Sequence, residues 1–228
     1  MMYLSKISLA DPQAWFRRRR KIRSDLFREH QMIWELFDNS PAQKRDFLYR
    51  REDRQGELPF YYVLSRRQPR YAGMDLIIQS KEFSPFLKTE DRLQFSLRAN
   101  AVITRKVDHH SNKRIRRDVI EAKVDEYKKQ FPRPEDRPAP YIIHQEAAEE
   151  WLKRQGDVHG FTVDEFFVEN HVFHKVQKPG DPNIRRFASL DIHGRLTVAD
   201  PKKTGEVLRN GLGRSKAFGC GLLLVRRI

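Results

Sequence analysis

The chain lacks two features that would place it in a simple class, paired cysteines and long hydrophobic runs. Its single cysteine, Cys220, cannot form an intramolecular disulfide, and one thiol with scattered histidines falls short of the usual structural zinc sets. No stretch approaches the roughly 20 apolar residues of a membrane span, and residues 1–12 lack the apolar segment of a signal peptide. We therefore expect a cytoplasmic protein with no membrane partner.

Acidic residues are scarce relative to basic ones. The sequence has 45 Lys and Arg against 31 Asp and Glu, which gives a formal net charge of +14. An excess of this size is typical of proteins that bind a polyanion. Because 39% of the residues are hydrophobic and 11% aromatic, the chain has enough apolar mass to fold and is not a disordered basic tail. The composition predicts a globular protein whose partner is a polyanion.

The first part of the chain alternates between strand and helix patterns. Apolar residues alternate in the strand segments and recur at helical spacing in the helix, while Asp11 followed by Pro12 signals a helix start. The predicted elements are a strand over 3–9, a helix over 26–37 and strands over 45–50, 60–65 and 76–83. This order approximates a β-α-β-β-α-β unit with a trimmed second helix.

The pattern breaks between residues 85 and 92, which predicts a domain boundary near residue 90. The prolines of 132–140 must interrupt any helix there. The predicted elements are strands over 94–104, 161–176, 184–192 and 222–225, helices over 118–130, 142–155 and 202–209, and a short extended piece over 196–198. Their order again approximates β-α-β-β-α-β. We predict an α+β chain with domains at 1–90 and 91–228.

A glycine-rich segment near the C-terminus, residues 211–221, contains Arg214 and Lys216. Glycine lets a loop approach the backbone of a ligand because no side chain blocks it. The spacing matches neither a P-loop nor GxGxxG, so no nucleotide cofactor is indicated. Free amides together with these two cations could hold a phosphate, although a structural turn between helix and strand would use the same glycines.

Short blocks spread over most of the chain match a known family. They are Tyr3–Lys6, His30-Gln31 before Trp34–Phe37, Arg45–Leu48, Leu97–Asn100, Gly194–Val198 and Gly211–Leu223. Together these blocks resemble the CasE family, and the last is the most specific. The resemblance implies two tandem ferredoxin-like (RRM-like) domains. It also implies cleavage of the CRISPR repeat transcript at the base of its stem-loop, and retention on the mature crRNA among the other subunits of the subtype I-E Cascade complex.

His30 matches the position of the family's catalytic histidine. An imidazole can give or take a proton near neutral pH, which suits attack by the RNA's own 2′-hydroxyl on the adjacent phosphate. That reaction leaves a cyclic phosphate and a 5′-hydroxyl and requires no metal. The histidine pairs at 109–110 and at 171 and 174 lack further ligands. We therefore expect a metal-independent endoribonuclease without a cofactor.

Two observations on the helix oppose a catalytic role for His30. The residue lies one turn from Ile33 and Trp34 on the apolar side, where a lone histidine is more often packed into the core. The tyrosine that the family often has one turn earlier is Phe27 here, which has no hydroxyl to orient a phosphate. Candidates for that role are Arg23, Arg28 and Lys216.

Basic residues extend the predicted RNA-binding surface beyond the histidine. The candidates are Arg23, Arg28, Lys113, Arg114, Arg116, Arg117, Arg185, Arg186, Arg214 and Lys216. Phosphate contacts from such residues would give affinity, and unpaired bases near the cut would give selectivity. A charge run can also be no more than a solvated face. Two other functions stay open: a subunit that binds an RNA hairpin without cutting it, and a basic module associated with ribosomal or transfer RNA.

Overall fold

The computed structural model describes residues 1–11, 13, 26–37, 44–71, 73–106, 114–178 and 180–228. Within this part of the chain, helices combine with antiparallel sheets, as the sequence predicts. The strands are β1 (Tyr3–Leu9), β2 (Phe47–Glu52), β3 (Phe60–Ser65), β4 (Leu76–Glu82), β5 (Arg92–Ala99), β6 (Val102–Lys106), β7 (Arg114–Asp118), β8 (Phe161–Gln177), β9 (Ile184–Val198) and β10 (Leu223–Arg227). The helices are α1 (Leu26–Trp34), α2 (Val119–Gln130), α3 (Pro140–His159) and α4 (Pro201–Asn210), with 3₁₀ turns at Pro134–Asp136 and Lys216–Phe218.

The first sheet has the strand order β2-β3-β1-β4, and its neighbouring strands are antiparallel. Alternate residues of β1 are buried, Ser5, Ile7 and Leu9. Because successive side chains of a strand point to opposite faces, these residues share one face of the sheet. Ile7 packs there with Met32 and Ile33 of α1. This packing places α1 across that face.

The second sheet has the order β10-β5-β9-β8, also antiparallel. Every other residue of β5 is buried, and Leu97 packs in one cluster with Val119 of α2, Trp151 of α3 and Val207 of α4. Three helices therefore cover one face of this sheet. The other face is left for contact with the first sheet.

Polar residues set the ends of these helices. Asp118 caps α2 by accepting hydrogen bonds from two backbone amides of its first turn, and Asp200 does the same for α4. α3 begins at Pro140, where a missing backbone N–H costs nothing, and ends at Gly160 with a left-handed φ of 75°. The prolines of 132–140 separate α2 from α3, as predicted.

The two sheets meet through a small apolar cluster. Leu48 of β2 and Leu64 of β3 pack on Leu222, immediately before β10. Beside them the guanidinium of Arg50 donates to Ser96 Oγ at 2.8 Å. Arg98 Nη1 also donates to a backbone carbonyl at the far end of β2, 3.3 Å away. These contacts hold β2 and β3 against the second half of the chain.

One predicted strand is wrong in its extent. The segment 94–104 forms two strands, because β5 ends at Ala99 and β6 starts at Val102. Between them Asn100 forms an isolated bridge with Arg214 instead of continuing along β9. The pairing with the glycine-rich segment diverts the chain at this point.

The basic segment 105–117 contains a strand that the sequence did not predict. β7 pairs antiparallel with β6 and forms a separate hairpin. The predicted short piece at 196–198 is the end of β9, which runs without interruption from Ile184. The predicted helix start at Pro12 lies outside the described residues. The predicted boundary near residue 90 falls between β4 and β5, and the division into domains stays a prediction. Among the described residues no helix is both long and apolar enough to cross a membrane.

Gly211 should be far less tolerant of a side chain than an open-turn glycine. Its φ of 76° and ψ of 163° are nearly exclusive to glycine, and an added Cβ would lie 2.7 Å from Gly221 O and 2.8 Å from Leu48 Cδ1. We expect Gly211→Ala to lower the free energy of unfolding by about 2 kcal/mol or more. Gly56 has the same φ but open space around it, so Gly56→Ala should cost about 1 kcal/mol. Urea unfolding of both variants checks this, and equal losses would contradict it.

Candidate active site

His30 lies in a cage of aromatic rings. Its imidazole stacks at 6.3 Å from the ring of Tyr49 and lies 5.7 Å from that of Phe47, both on β2. The ring of Trp34, one turn along α1, lies edge-on with its centre 6.1 Å away, and Phe218 of the 3₁₀ turn closes the cage with its ring centre 6.4 Å from that of His30. The ring is half-buried. The ring is thus packed like a histidine on the apolar side of a helix, but it lies where the first and second sheets meet.

A single hydrogen bond fixes the protonation pattern of the His30 ring. Trp34 Nε1 donates to His30 Nε2 at 3.0 Å. Because an indole N–H can only donate, Nε2 must accept, and the neutral ring carries its proton on Nδ1. Nδ1 is buried and has no hydrogen-bond partner within the described part of the chain.

The surroundings of His30 oppose its protonation. Burial, together with the smaller effect of the positive charge of Arg45, lowers the pKa of His30 to about 4. The imidazole is therefore neutral in the free protein at neutral pH.

A cationic cleft of about 640 Å³ lies next to the cage. Arg45, just before β2, lines this cleft together with Arg214 and Lys216 of the glycine-rich segment. Asn100 and His159 complete its polar lining. The cleft is thus built from both halves of the sequence and is suited to an anion.

Backbone geometry shapes the glycine-rich wall. Arg214 N donates to Asn100 O at 3.3 Å, and Ser215 Oγ donates to Asn100 Oδ1 at 3.1 Å. A Cβ on Gly213 would lie 3.2 Å from Asn100 O, so glycine permits this close approach. Tyr49 Oη donates to Ala217 O at 3.2 Å and ties the segment to β2. The glycine-rich segment therefore approaches the end of β5 and the strand β2 closely, as a structural turn would, and its approach to a ligand stays a prediction.

The two predicted cations of this segment differ in their availability. Lys216 Nζ donates to Asn210 O and Gly211 O, each at 2.8 Å, and so caps the C-terminal end of α4. Burial and the charge of Arg45 lower the pKa of Lys216. Arg214 is exposed at the mouth of the cleft.

The remaining predicted RNA-binding residues are spread around this centre. Arg28 is exposed on α1, two residues before the histidine. Arg185 and Arg186 are exposed at the start of β9, and the next residue, Phe187, stacks on Phe218 at 5.7 Å. The structure therefore brings the start of β9 to the cage.

The basic hairpin stands apart from the cage. Arg114 and Arg116 are exposed on β7, and Arg117 pairs with Asp125 at 2.6 Å. The hairpin reaches the cleft through Val102 at the start of β6. Arg23 and Lys113 lie outside the described residues.

The histidines considered as metal ligands do not converge. His171 Nε2 lies 3.2 Å from Asp118 Oδ1, whereas His174 Nε2 lies 2.8 Å from Ser189 Oγ. The two rings contact different neighbours: His171 lies against Phe173, and His174 stacks on Phe187. No group of three or more potential metal ligands occurs among the described residues. His109 and His110 lie outside them.

Sequence reasoning missed Arg45 as a site residue. It appeared only in the predicted strand 45–50 and in the block Arg45–Leu48, and it belongs to none of the basic runs. A usable signal was its position two residues before Phe47 and four before Tyr49, the two rings that hold the histidine. The donor role of Trp34 was also missed, because residue type alone does not show which atom its indole meets.

Comparisons with known proteins cover nearly the whole chain. The family model described as CRISPR associated protein matches residues 2–227. The CRISPR system Cascade subunit CasE of Escherichia coli K12 is 27% identical over 230 residues, covering 97% of this chain and 98% of that protein. The CRISPR-associated endoribonuclease Cse3 of Thermus thermophilus is 25% identical over 240 residues, covering 98% and 99%.

Solved structures agree with this relationship. The structure of Thermus thermophilus Cse3 bound to an RNA representing a pre-cleavage complex has a TM-score of 0.72 at 25% identity, covering 99% of this chain and 98% of that one. The crystal structure of Cas6e from Escherichia coli K-12 has a TM-score of 0.63 at 24% identity, covering 99% and 100%, and shows the shared fold. The chain therefore belongs to the family of CRISPR-associated proteins and, within it, to the CasE group that its sequence blocks resemble.

Proposed function

We propose that this protein is a metal-independent endoribonuclease that cleaves CRISPR repeat transcript at the base of its stem-loop. The cleavage gives mature crRNA, and the protein stays bound to this product as a Cascade subunit. It acts in the cytoplasm. The observation that carries the proposal is a half-buried imidazole, His30, next to a cationic cleft. The names of the relatives support it, since one is a Cascade subunit and another an endoribonuclease.

The proposal includes two tandem ferredoxin-like (RRM-like) domains, residues 1–90 and 91–228. Two four-stranded antiparallel sheets, one covered by α1 and the other by three helices, support this division. The first sheet has strand order β2-β3-β1-β4 and a direct β3-to-β4 connection without a described helix. The trimmed second helix of the first domain is consistent with that connection.

In the proposed reaction the 2′-oxygen forms a bond to phosphorus while the bond from phosphorus to the 5′-oxygen breaks. A base accepts the proton of the 2′-hydroxyl, water supplies a second proton to the departing 5′-oxygen, and the product is a cyclic phosphate. A neutral imidazole can accept the first proton directly, whereas donating the second requires prior protonation. Since His30 is neutral in the free protein, we assign it the acceptor role.

For His30 to accept this proton, its hydrogen bond with Trp34 has to be replaced by a contact with the substrate. Nε2 is occupied by the Trp34 N–H, and Nδ1 is buried. Bound RNA would supply the new partner, as catalytic hydrogen bonds often tighten only in the substrate complex. Arg185, Arg186 and Arg214 would hold flanking phosphates and give binding its salt dependence.

A second function, RNA-hairpin binding without cleavage, is favoured by one observation. Phe27 cannot supply the hydroxyl that the family often has there, and both His30 nitrogens are unavailable in the free protein. The cationic cleft would serve this function equally well.

Replacing His30 should stop cleavage without releasing the RNA. Loss of a positioned proton-transfer group typically costs about 10²- to 10⁴-fold in rate, and we expect His30→Ala to fall in this range in single-turnover assays on cognate repeat RNA. Affinity should change by no more than about threefold, since the neutral ring adds no charge contact. The matched control is His193→Ala, a half-buried histidine of β9 that pairs with Glu169 of β8. A His30→Ala enzyme as active as this control would refute the assignment.

The nucleophile and the need for metal can be tested on the RNA itself. A single 2′-deoxy substitution at the scissile nucleotide should abolish cleavage and leave hairpin binding intact, because the attacking oxygen is missing. Full activity of unmodified RNA should persist in EDTA, since no metal enters the reaction. Binding without cleavage of the unmodified RNA would favour the binding-only function, and loss of cleavage in EDTA alone would disprove metal independence.

The protonation of His30 should respond to RNA. In an NMR titration of the free protein we expect a midpoint of about 4. Bound 2′-deoxy RNA should raise it by about one pH unit or more, since phosphate stabilises the imidazolium. As proton acceptor, His30 makes the cleavage rate rise with pH up to the midpoint in the complex and then level off. A rate that instead falls above that midpoint would reverse the assigned role.

A further inference from the structure

We propose that Arg45 binds the scissile phosphate and supplies the positive charge and hydrogen-bond donors that Phe27 cannot. The assignment rests on the proposed RNA cleavage and adds to it a residue that contacts the reacting phosphate. It follows from the position of Arg45, from its lack of a carboxylate partner among the described residues, and from the engagement of the neighbouring lysine.

Arg45 is held between the His30 cage and the cleft. It lies two residues before Phe47, whose ring contacts His30, and it lines the cleft together with Lys216. Its charge is close enough to lower the pKa of both His30 and Lys216. A phosphate seated against Arg45 would therefore lie beside the imidazole.

The backbone next to Arg45 is fixed. Arg66 N donates to Asp46 O at 3.3 Å, which extends the β2–β3 pairing by one residue. The Asp46 carboxylate accepts two hydrogen bonds of 2.8 Å from the guanidinium of Arg67. Arg45 thus starts from a rigid position, which favours a preorganised phosphate ligand.

Four other buried or half-buried arginines, on or next to β2, β3 and β5, have carboxylate partners. These pairs are Arg50 with Glu52, Arg51 with Glu29, Arg67 with Asp46 and Arg98 with Asp191, at 2.6–2.8 Å. Buried charges are normally paired because desolvation of an unpaired ion is costly. The charge of each of these four arginines is therefore already balanced by a carboxylate and needs no ligand.

Arg45 departs from this pattern. Its Nη1 is buried and has no hydrogen-bond partner within the described segments. Burial lowers the pKa of Arg45 and the Tyr49 phenol raises it, with no Asp or Glu of the described residues contributing. A buried guanidinium N–H without an acceptor typically costs about 1–3 kcal/mol. An incoming anion removes this cost, and the planar guanidinium can bind a phosphate through two N–H groups.

Lys216 is less suited to this role. Two of its three ammonium protons are directed to Asn210 O and Gly211 O. Nη1 of Arg45 has no such acceptor in the part of the chain that the structure describes. The phosphate charge would also neutralise Arg45, and this would ease protonation of His30 during proton transfer.

The test compares Arg45→Met and Arg45→Lys with Arg54→Met, an exposed arginine in the turn between β2 and β3. At saturating repeat RNA, Arg45→Met should cleave about 10²- to 10³-fold more slowly than wild type, as expected for loss of a transition-state donor. Arg45→Lys should recover at least about tenfold of this loss, because the charge is kept. Arg54→Met should cleave like wild type.

A second readout separates phosphate binding from a structural role. Arg45→Met should raise the NMR midpoint of His30 in the free protein, since a positive charge is removed, and should shrink the further rise caused by 2′-deoxy RNA. If Arg45→Met does not fold, by circular dichroism and thermal melting, Arg45→Lys and Arg45→Gln undergo both measurements. Wild-type cleavage rates in all folded Arg45 variants would overturn the proposal.

The outcomes also separate this inference from the function on which it rests. If His30→Ala is inactive while Arg45→Met is not, endonuclease activity stands and the role of Arg45 falls. If wild type binds repeat RNA but does not cut it, the proposed activity falls. Arg45 is then judged by affinity for the same RNA: weaker binding by Arg45→Met than by Arg54→Met supports a phosphate contact, and equal binding overturns it.

Discussion

The contact on which the candidate site depends is the packing of the Lys216–Phe218 turn against α1 and β2. Phe218 closes the ring cage around His30, and Tyr49 donates to the carbonyl of Ala217. This contact joins a helix near the start of the chain to a segment near its end. The apolar cluster of Leu48, Leu64 and Leu222 holds the two sheets close enough together for this contact to form. Without this contact the imidazole would lose one wall and the cleft would lose its glycine-rich side.

The charges of the site suit a partner that brings its own negative charge. The imidazole is kept neutral by burial and by a nearby cation, and that cation has no carboxylate among the described residues. An acidic protein residue in the cleft would stabilise the free protein, but it would compete with a phosphate for the same donors. The arrangement therefore gives up some stability of the free form in favour of complementarity to a polyanion, a balance often found at functional sites. The net charge of +14 agrees with this preference.

Local pattern was sufficient for most helices and strands, since alternation and helical spacing reflect which residues face a core. It missed β7 and the break between β5 and β6, because β7 is rich in arginine and has no buried apolar residue to reveal it. The residue most relevant to chemistry, His30, came from the family resemblance, whereas its cage could not be predicted, because Phe218 reaches it only through tertiary packing. Arg45 was missed for a related reason: a search for runs of basic residues overlooks a single arginine. Its importance follows from having no carboxylate partner among the described residues, which only the structure shows.

The chain's single thiol also has a consequence. Cys220 lies between Gly219 and Gly221, both with positive φ, and it is 1% exposed. Burial raises the pKa of Cys220 to about 12, so almost no thiolate forms at neutral pH, and thiolate is the reactive species. Alkylating reagents can modify it only when the surrounding segment opens. The rate at which Cys220 is modified therefore reports how often this part of the protein opens locally, and no label has to be introduced.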